Sequence, residues 1–247
     1  MRGNPKLEWL LNSKNEMVWS VPGRYVLSWP LPENRAYDVV TAIKRPSGLP
    51  VGVWGSKADP EEARREFADF CPEVRELLAN IDTAVKWQLA ELPPLETFRS
   101  DNGRVVVIGD AAHAMIPHSA SGGNSAIEDA ACLGECLDWA FRNAEPIALA
   151  TKVYEELRKP RVERMQEASR EGYAFLGASE DFMPIRDEMV AKQTKAFDDE
   201  LMLSEEVRRA KPKAEPEMNG RFPFEPYLQW LYGHDVIEDT RQYLAGL

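Results

Sequence analysis

A glycine, a carboxylate and a pair of glycines are spaced in this chain so that together they could hold a ligand. Gly109 and Asp110 directly follow Val105–Ile108, whose four consecutive β-branched residues predict a strand buried on both faces, as in a parallel sheet. Asp110 would then lie at the carboxyl end of that strand, where open α/β sheets bind their ligands. Gly122 and Gly123 lack side chains and open the next predicted helix, so a ligand could approach its backbone closely.

The helix after these glycines has a predicted start and a predicted buried face. Ser125 and Glu128 have capping-box spacing, which places the first turn near Ser125. Free N–H groups at a helix start carry partial positive charge and favour an anionic edge of a ligand. Small and apolar residues recur at helical spacing and predict a stripe that lies close to a sheet. The stripe comprises Ile127, Ala130, Ala131, Gly134 and Leu137.

This segment resembles the second flavin motif of the FAD-dependent aromatic hydroxylases, and of salicylate-hydroxylase-like monooxygenases in particular. Ser121 departs from the family, which usually has Gln at that position. A larger departure is that the chain has no Gly-x-Gly-x-x-Gly fingerprint for the ADP half of FAD. The resemblance therefore implies the C-terminal portion of such an enzyme, from near residue 2 to residue 235. The matching positions are Gly109 to His113, Pro117, Gly122, Asn124 and Ala126 to Ala130.

The chemistry that the resemblance implies is carried by the flavin. FAD would be reduced by NAD(P)H and would transfer one oxygen atom, through a flavin hydroperoxide, to a small aromatic substrate. Because the cofactor does the chemistry, no catalytic side chain is predicted. No cluster of metal-binding side chains is visible, so no metal site is predicted either.

The resemblance also implies a role for each motif residue. Asp110 would hydrogen-bond the ribityl chain of FAD, and Pro117 would pack near the isoalloxazine ring. The backbone around Gly122–Asn124 would face the pyrimidine edge and stabilise negative charge on the reduced flavin. His113 is expected to hold the loop rather than to take part in catalysis. The predicted cofactor-binding set is Gly109, Asp110, Pro117, Gly122, Gly123 and Asn124.

Two other classes of function stay open. One is a different flavoenzyme that shares the Gly-Asp segment, such as a flavin halogenase or a prenyl reductase. The other is a non-catalytic remnant, or the partner-dependent half of a split flavoenzyme whose partner is the missing N-terminal half. Because affinity for FAD comes from both halves of the cofactor, the isolated chain is expected to purify colourless and to oxidise no NAD(P)H.

The elements around the motif predict a mixed α/β fold, a partial FAD-monooxygenase fold in three parts. Residues 1–103 are expected to form an antiparallel substrate-side sheet with two short helices. Residues 104–145 would supply the last strand and helix of the FAD domain. Residues 146–247 would form a helical region with an exposed linker at 204–220 and an aromatic tail. The predicted strands are 16–20, 24–31, 36–43 and 85–89, the second and third forming a hairpin, and the short helices begin near Asp59 and Pro72.

The helix predicted from Pro146 onwards carries several arginines with acidic neighbours. This mixture favours a solvated helix with surface ion pairs over a basic binding face. Pro160 is expected to kink or break the helix. The arginines are Arg158, Arg161, Arg164 and Arg170.

Composition excludes several classes of partner. The 247 residues include 30 basic and 41 acidic side chains, a net charge of -11, which disfavours nonspecific binding to nucleic acid or to an anionic membrane. Three cysteines do not make a disulfide framework, and Cys132 and Cys136 are expected to be small packing residues. No signal peptide and no run near the ~20 apolar residues of a membrane span is visible, so a cytoplasmic protein is expected.

Overall fold

The structure is a computed structural model, and its described residues form two compact units. The first unit comprises Met1–Leu89 with Phe175–Glu188, and the second comprises Ala90–Ala174 with Met189–Leu247. The predicted linker at 204–220 lies outside the described residues. The division of the sequence into three parts stays a prediction. The structure describes residues 1, 3–13, 16–31, 36–45, 48–50, 52–201 and 225–247.

The first unit is built on a three-stranded antiparallel sheet, as the sequence predicts. Its strands are β1 (Met17–Val21), β2 (Arg24–Pro30) and β3 (Tyr37–Ile43), in the order β1-β2-β3. Alternate residues of the central strand face a core, and Val26 is fully buried there. The pairing of β2 with β3 confirms the predicted hairpin.

Three short helices and a two-stranded ribbon accompany this sheet in the N-terminal part of the unit. Asp59 accepts a hydrogen bond from the Glu61 N–H and so begins a helix where the sequence predicts one. The helix predicted from Pro72 and the strand predicted at 85–89 are also present, whereas the sequence did not predict the partner of that strand. The elements are α1 (Glu8–Asn12), β4 (Gly55–Ala58), α2 (Pro60–Glu66), α3 (Pro72–Ala79) and β5 (Ala84–Trp87), with β4 and β5 antiparallel.

The described residues from Asp110 onwards are mainly helical, as predicted for the C-terminal region. A core forms where Cys132 and Cys136 pack with Tyr154 and Leu244, so both cysteines are buried packing residues. No helix of the described residues is both long and apolar enough to cross a membrane. The helices are α4 (Asp110–His113), a 3₁₀ turn (Pro117–Ser119), α5 (Gly122–Asn143), α6 (Ile147–Leu176), α7 (Met183–Leu201), α8 (Glu225–Tyr232) and α9 (Val236–Ala245).

The strand predicted at Val105–Ile108 is wrong. Within the described residues this segment makes one isolated bridge, between Arg99 and Val106, and Val105 and Ile108 are exposed. A strand needs neighbours along its ladder, and the described residues supply none beyond that bridge. The four β-branched residues therefore do not form the buried strand that their pattern predicts, and two of them lie on the surface of the described residues.

The predicted buried face of α5 is wrong for the same reason. Ile127 and Leu137 of the predicted stripe are exposed, while the opposite face, which includes Asp129 and Cys132, is buried against α6 and α9. The described part of the chain contains no parallel sheet that could cover the small and apolar stripe.

Two predictions about helix boundaries also need correction. α5 begins at Gly122 rather than near Ser125, and the Ser125 hydroxyl donates to the Ser121 carbonyl at 2.8 Å instead of capping the helix. Glu128 pairs with arginines, so the capping box does not form. α6 runs through Pro160 without ending there.

The residue that follows α5 allows a test of the backbone conformation at the end of this helix. Ala144 has a left-handed conformation, with φ 55° and ψ 32°, which is unfavourable for a residue with a Cβ. We expect Ala144→Gly to raise the free energy of unfolding by about 0.5–1 kcal/mol, measured by urea denaturation. The same change at the exposed mid-helix Ala130 should lower it by about 1 kcal/mol. Destabilisation by Ala144→Gly would contradict the described helix end.

Candidate functional site

The six predicted cofactor-binding residues lie on two segments of the second unit. Gly109 and Asp110 form the turn into α4, with Asp110 as the first residue of that helix. Gly122–Asn124 form the first turn of α5, as expected for residues that open a helix. Pro117 is exposed and begins the 3₁₀ turn between the two segments.

Both segments present polar groups that have no partner within the described residues. The Asp110 and Asn124 side chains are exposed and make no hydrogen bond there. The N–H groups of Gly122–Asn124 have no backbone acceptor in that part of the chain, and they form the positive end of a 22-residue helix. A Cβ added at Gly123 would meet nothing within 4 Å, so the helix start is open. A carboxylate and three N–H groups can bind a hydroxyl-bearing ligand that has an electron-rich edge.

Gly109 is required at its position for two physical reasons. Its backbone has φ 58° and ψ -141°, a conformation that residues with a Cβ rarely adopt. A Cβ built on it would also lie 3.1 Å from the Cβ of Ala126 on α5. The turn that carries Asp110 therefore lies directly against the helix that carries Gly122–Asn124.

A buried carboxylate on α5 holds this turn in place. Asp129 is fully buried, and its Oδ2 accepts hydrogen bonds from the Gly109 N–H at 2.9 Å and from His113 Nε2 at 2.6 Å. Its Oδ1 accepts from Arg158 Nε on α6 at 2.9 Å. His113 thus has the structural role that the sequence predicts for it, and Asp129 joins three segments at one point.

The arginines of α6 are buried and paired, so the prediction of a solvated helix face is wrong for two of them. Arg158 is 1% exposed and also contacts Glu128, with 2.7 Å between Nη1 and Oε2. Arg161 binds the same carboxylate through Nε and Nη2 at 2.9 and 3.0 Å. Two acids on α5 and two arginines on α6 therefore neutralise each other inside the unit. Arg164 and Arg170 form the surface ion pairs that the sequence predicts.

Arg161 extends this network to the C-terminal end of α8. Its Nη2 donates to the Leu231 carbonyl at 3.0 Å, and its guanidinium lies 4.5 Å from the centre of the Trp230 ring. A cation at the C-terminus of a helix hydrogen-bonds the last carbonyls of that helix and interacts favourably with its dipole. Arg161, which also pairs with Glu128, therefore connects α8 to α5.

Serine hydroxyls fix the loop between the two candidate segments. Ser119 Oγ lies 2.6 Å from Ser121 Oγ and 3.2 Å from Ser169 Oγ of α6, and Ser169 donates to the Ile116 carbonyl. Ala120, between the first two serines, has a left-handed φ of 50°. Ser121, where the chain departs from the hydroxylase pattern, is therefore a buried member of a hydroxyl cluster that shapes the loop.

The charge network keeps both acids of α5 ionised. Burial raises the pKa of Asp129, but hydrogen bonds from His113, Gly109 and Arg158 outweigh it and hold that pKa below its usual value. Burial likewise raises the pKa of Glu128, and the two arginines lower it further than burial raises it. The two carboxylates therefore stabilise the fold at neutral pH, and their contribution is lost on acidification below the usual carboxyl pKa.

A cavity of about 420 Å³ lies in the first unit and contains none of the six predicted residues. Charged side chains dominate its lining, and several pair with each other, as Lys86 does with Glu62 at 2.6 Å. This lining fits no flavin ring, so the polar groups of the second unit remain the better candidate site.

Sequence reasoning did not single out Asp129, Arg158 or Arg161 as residues that build the site. A signal was present, because adjacent acids at 128 and 129 on one helix face arginines three residues apart on the next. Paired charges at matching helical spacing can bridge two helices as well as solvate one. Whether such charges bridge two helices or face solvent depends on burial by another helix, and the spacing of the residues does not reveal that burial.

Comparisons with known proteins show the family of the chain. A family model described as an FAD binding domain matches residues 8–169. The FAD-dependent monooxygenase OpS4 of Beauveria bassiana (strain ARSEF 2860) is 33% identical over 193 residues, which are 78% of this chain and 41% of that protein. Salicylate hydroxylase of Pseudomonas putida is 28% identical over 228 residues, 90% of this chain and 45% of that protein.

Solved structures show the same fold. A salicylate hydroxylase substrate complex superposes with a TM-score of 0.66 at 23% identity, over 95% of this chain and 50% of that one. The chain thus spans about half the length, or less, of the relatives and of the structure that it matches.

The loop between the candidate segments predicts a pH-dependent stability. His118 is buried with its ring edge-on to Tyr173, and burial lowers its pKa from 6.5 to about 4. The unfolded chain therefore binds this proton more readily than the folded chain. His118 contributes stability fully above pH 6.5, and that contribution is lost as the pH falls towards 4.

We expect His118→Phe, which keeps the ring packing, to remove this dependence. Between pH 7 and pH 4 the free energy of unfolding of the unmodified chain should fall by up to about 3 kcal/mol more than that of the variant. Urea denaturation across this range measures the difference. Parallel pH profiles for the two proteins would show that His118 titrates alike in the folded and unfolded states.

Proposed function

The chain belongs to the FAD binding domain family, and on that premise we propose that it forms the flavin-ring half of an FAD-dependent monooxygenase. The enzyme would hydroxylate a small aromatic substrate with NAD(P)H and oxygen, as the names of its relatives suggest. One observation carries the proposal: Asp129 holds the Gly109–Asp110 turn against the start of α5, and both segments present polar groups without partners.

The residues present fit the ribityl chain and ring of FAD. The exposed Asp110 carboxylate is an acceptor for ribityl hydroxyls, and a charged acceptor strengthens such bonds. The N–H groups of Gly122–Asn124, at the positive end of α5, would face the electron-rich pyrimidine edge. Pro117 would cover part of the ring with an apolar surface that donates no hydrogen bond.

The redox and oxygen chemistry would come from bound FAD, and the chain would supply binding and electrostatics. Partial positive charge from the first turn of α5 would favour the reduced, more negative ring over the oxidised one. The rigid loop held by Ser119, Ser121 and Ser169 would keep these donors fixed as the charge changes. No side chain of the chain is assigned to bond making or breaking.

The exposed apolar face of α5 supports a second polypeptide segment as partner. Ile127 is 70% and Phe141 is 88% exposed, and Val105, in the apolar segment before Gly109, is 63% exposed. Apolar surface of this kind marks an interaction site, and the small residues Ala130 and Gly134 between them allow close approach. The proposed occupant is the nucleotide-binding part of the enzyme, whose parallel strands would cover this face and bind the ADP half of FAD.

The same face supports the second candidate function, a non-catalytic remnant or partner-dependent half of a split flavoenzyme. In that case the chain folds but turns over no substrate by itself. No observation favours a halogenase or a prenyl reductase over the hydroxylases. A cytoplasmic location and a small aromatic substrate complete the proposal.

The first test is the absorption spectrum of the purified chain. The adenosine side of FAD would have no binding residues here, so we expect a colourless protein that binds FAD weakly and oxidises no NAD(P)H. Co-purification with a polypeptide that carries the nucleotide-binding half of a relative should restore a stoichiometric yellow flavin. A chain that purifies yellow by itself would contradict the proposal that FAD binding also requires the nucleotide-binding half. Failure of every assembly to bind flavin would contradict the flavin site.

A substitution tests the residue that would bind the ribityl chain. Asp110→Ala should raise the Kd for FAD in the reconstituted assembly by about tenfold or more, because a hydroxyl loses a charged acceptor. Asp101→Ala, which removes an exposed loop carboxylate, is the matched control and should leave the Kd unchanged. Equal effects of the two variants on flavin fluorescence titrations would exclude a specific role for Asp110.

A further inference from the structure

The Asp129 carboxylate is placed to do more than balance charge. It is fully buried, and it receives three hydrogen bonds from two separate segments: Gly109–His113, through the Gly109 N–H and the His113 ring, and α6, through Arg158. A carboxylate accepts only, so His113 must donate through Nε2. Its Nδ1 is buried without a partner among the described residues, so the bond to Asp129 is what orients this ring there.

The hydrogen bonds around Gly109 leave the following residue little backbone freedom. The Gly109 N–H is held by Asp129, and its carbonyl accepts from the Ala112 and His113 N–H groups, both at 2.9 Å. His113, one helical turn further on, is held by the same Asp129 oxygen. Asp110 lies between two points that one carboxylate fixes.

We propose that Asp129 is a positioning residue of the flavin site, which sets the direction of the Asp110 carboxylate by holding the Gly109 N–H and the His113 ring together. The inference rests on the proposed function for its effect on FAD, whereas its effect on the turn itself does not. Asp129 touches no cofactor atom in this account and acts through the backbone of the turn.

The neighbouring acid shows that charge balance alone does not require this arrangement. Glu128 is bound by both Arg158 and Arg161 and has no hydrogen bond to the turn among the described residues. Arg158 would therefore keep one counterion if Asp129 were absent. What Asp129 alone supplies is the acceptor for Gly109 and His113.

The test distinguishes the loss of the Asp129 charge from the loss of its hydrogen-bond acceptor. Asp129→Leu with Arg158→Met deletes the buried ion pair and fills its space with apolar atoms, a change that is often neutral for stability. Asp129→Asn with Arg158→Met has the same net charge but keeps one acceptor oxygen for the turn. Both are made in the Ala144→Gly background, and Asp129→Ala with Arg158→Met replaces the leucine variant if that one does not fold.

Two measurements test the effect of Asp129 on the turn and its effect on FAD binding. Amide hydrogen exchange on the full chain without FAD measures how firmly the Gly109 N–H is held. This N–H should exchange at least tenfold faster in the leucine variant than in the parent. In the asparagine variant its exchange rate should stay within a few-fold of that of the parent. FAD titration of the reconstituted assembly should give a Kd raised about tenfold for the leucine variant and largely restored for the asparagine variant. A merely structural role predicts equal values for the two variants.

The outcomes separate the inference from the proposed function. Unchanged Gly109 exchange in the leucine variant, or the same loss in both variants, overturns the positioning role whatever the flavin result. Faster exchange with an unchanged Kd for FAD shows that Asp129 orders the turn but does not position a flavin ligand, and it also overturns the inference. If the parent assembly binds no FAD while exchange responds as expected, the proposed function fails and the effect on the turn stands.

Discussion

The second unit depends on one physical constraint, the burial of an ionised carboxylate at Asp129. A buried charge is costly unless it is paired and hydrogen-bonded, and here three donors from two segments satisfy it. Meeting that constraint brings the turn at Gly109, the ring of His113 and helix α6 to one side of α5. The exposed Asp110 follows directly on the turn that this buried contact holds against α5.

Sequence predicts those parts of the structure whose signals are local. The hairpin of β2 and β3 and the helix that begins after Asp59 follow from alternation, turn residues and capping within a few positions. The structural role of His113 follows from its place in the Gly-Asp motif. At Gly109 the sequence predicts a sharp turn after the apolar segment. Its positive φ of 58° explains why glycine is needed at that position.

Most of the predictions that failed depend on a distant partner, whereas the capping box at Ser125 and Glu128 and the break at Pro160 are local exceptions. The runs at Val105–Ile108 and along α5 were predicted to be buried against a parallel sheet, but the described residues contain no such sheet, and Val105, Ile127 and Leu137 are exposed. The same reasoning explains the buried Arg158 and Arg161, whose acidic partners lie some thirty positions away on α5. Spacing indicates that a side chain needs a partner, and the fold decides which partner it obtains.

In the proposed site, the Gly109–Asp110 turn and the start of α5 together hold the ring and ribityl parts of a flavin. The most direct measurement is a two-dimensional amide NMR titration of the chain with riboflavin 5′-phosphate, which carries those parts without the adenosine. We expect shifts concentrated at Gly109, Asp110 and the N–H groups of Gly122–Asn124, and we expect Asp110→Ala to lose them. Shifts confined to the charged cavity around Lys86, or none at any flavin concentration, would contradict the proposed site.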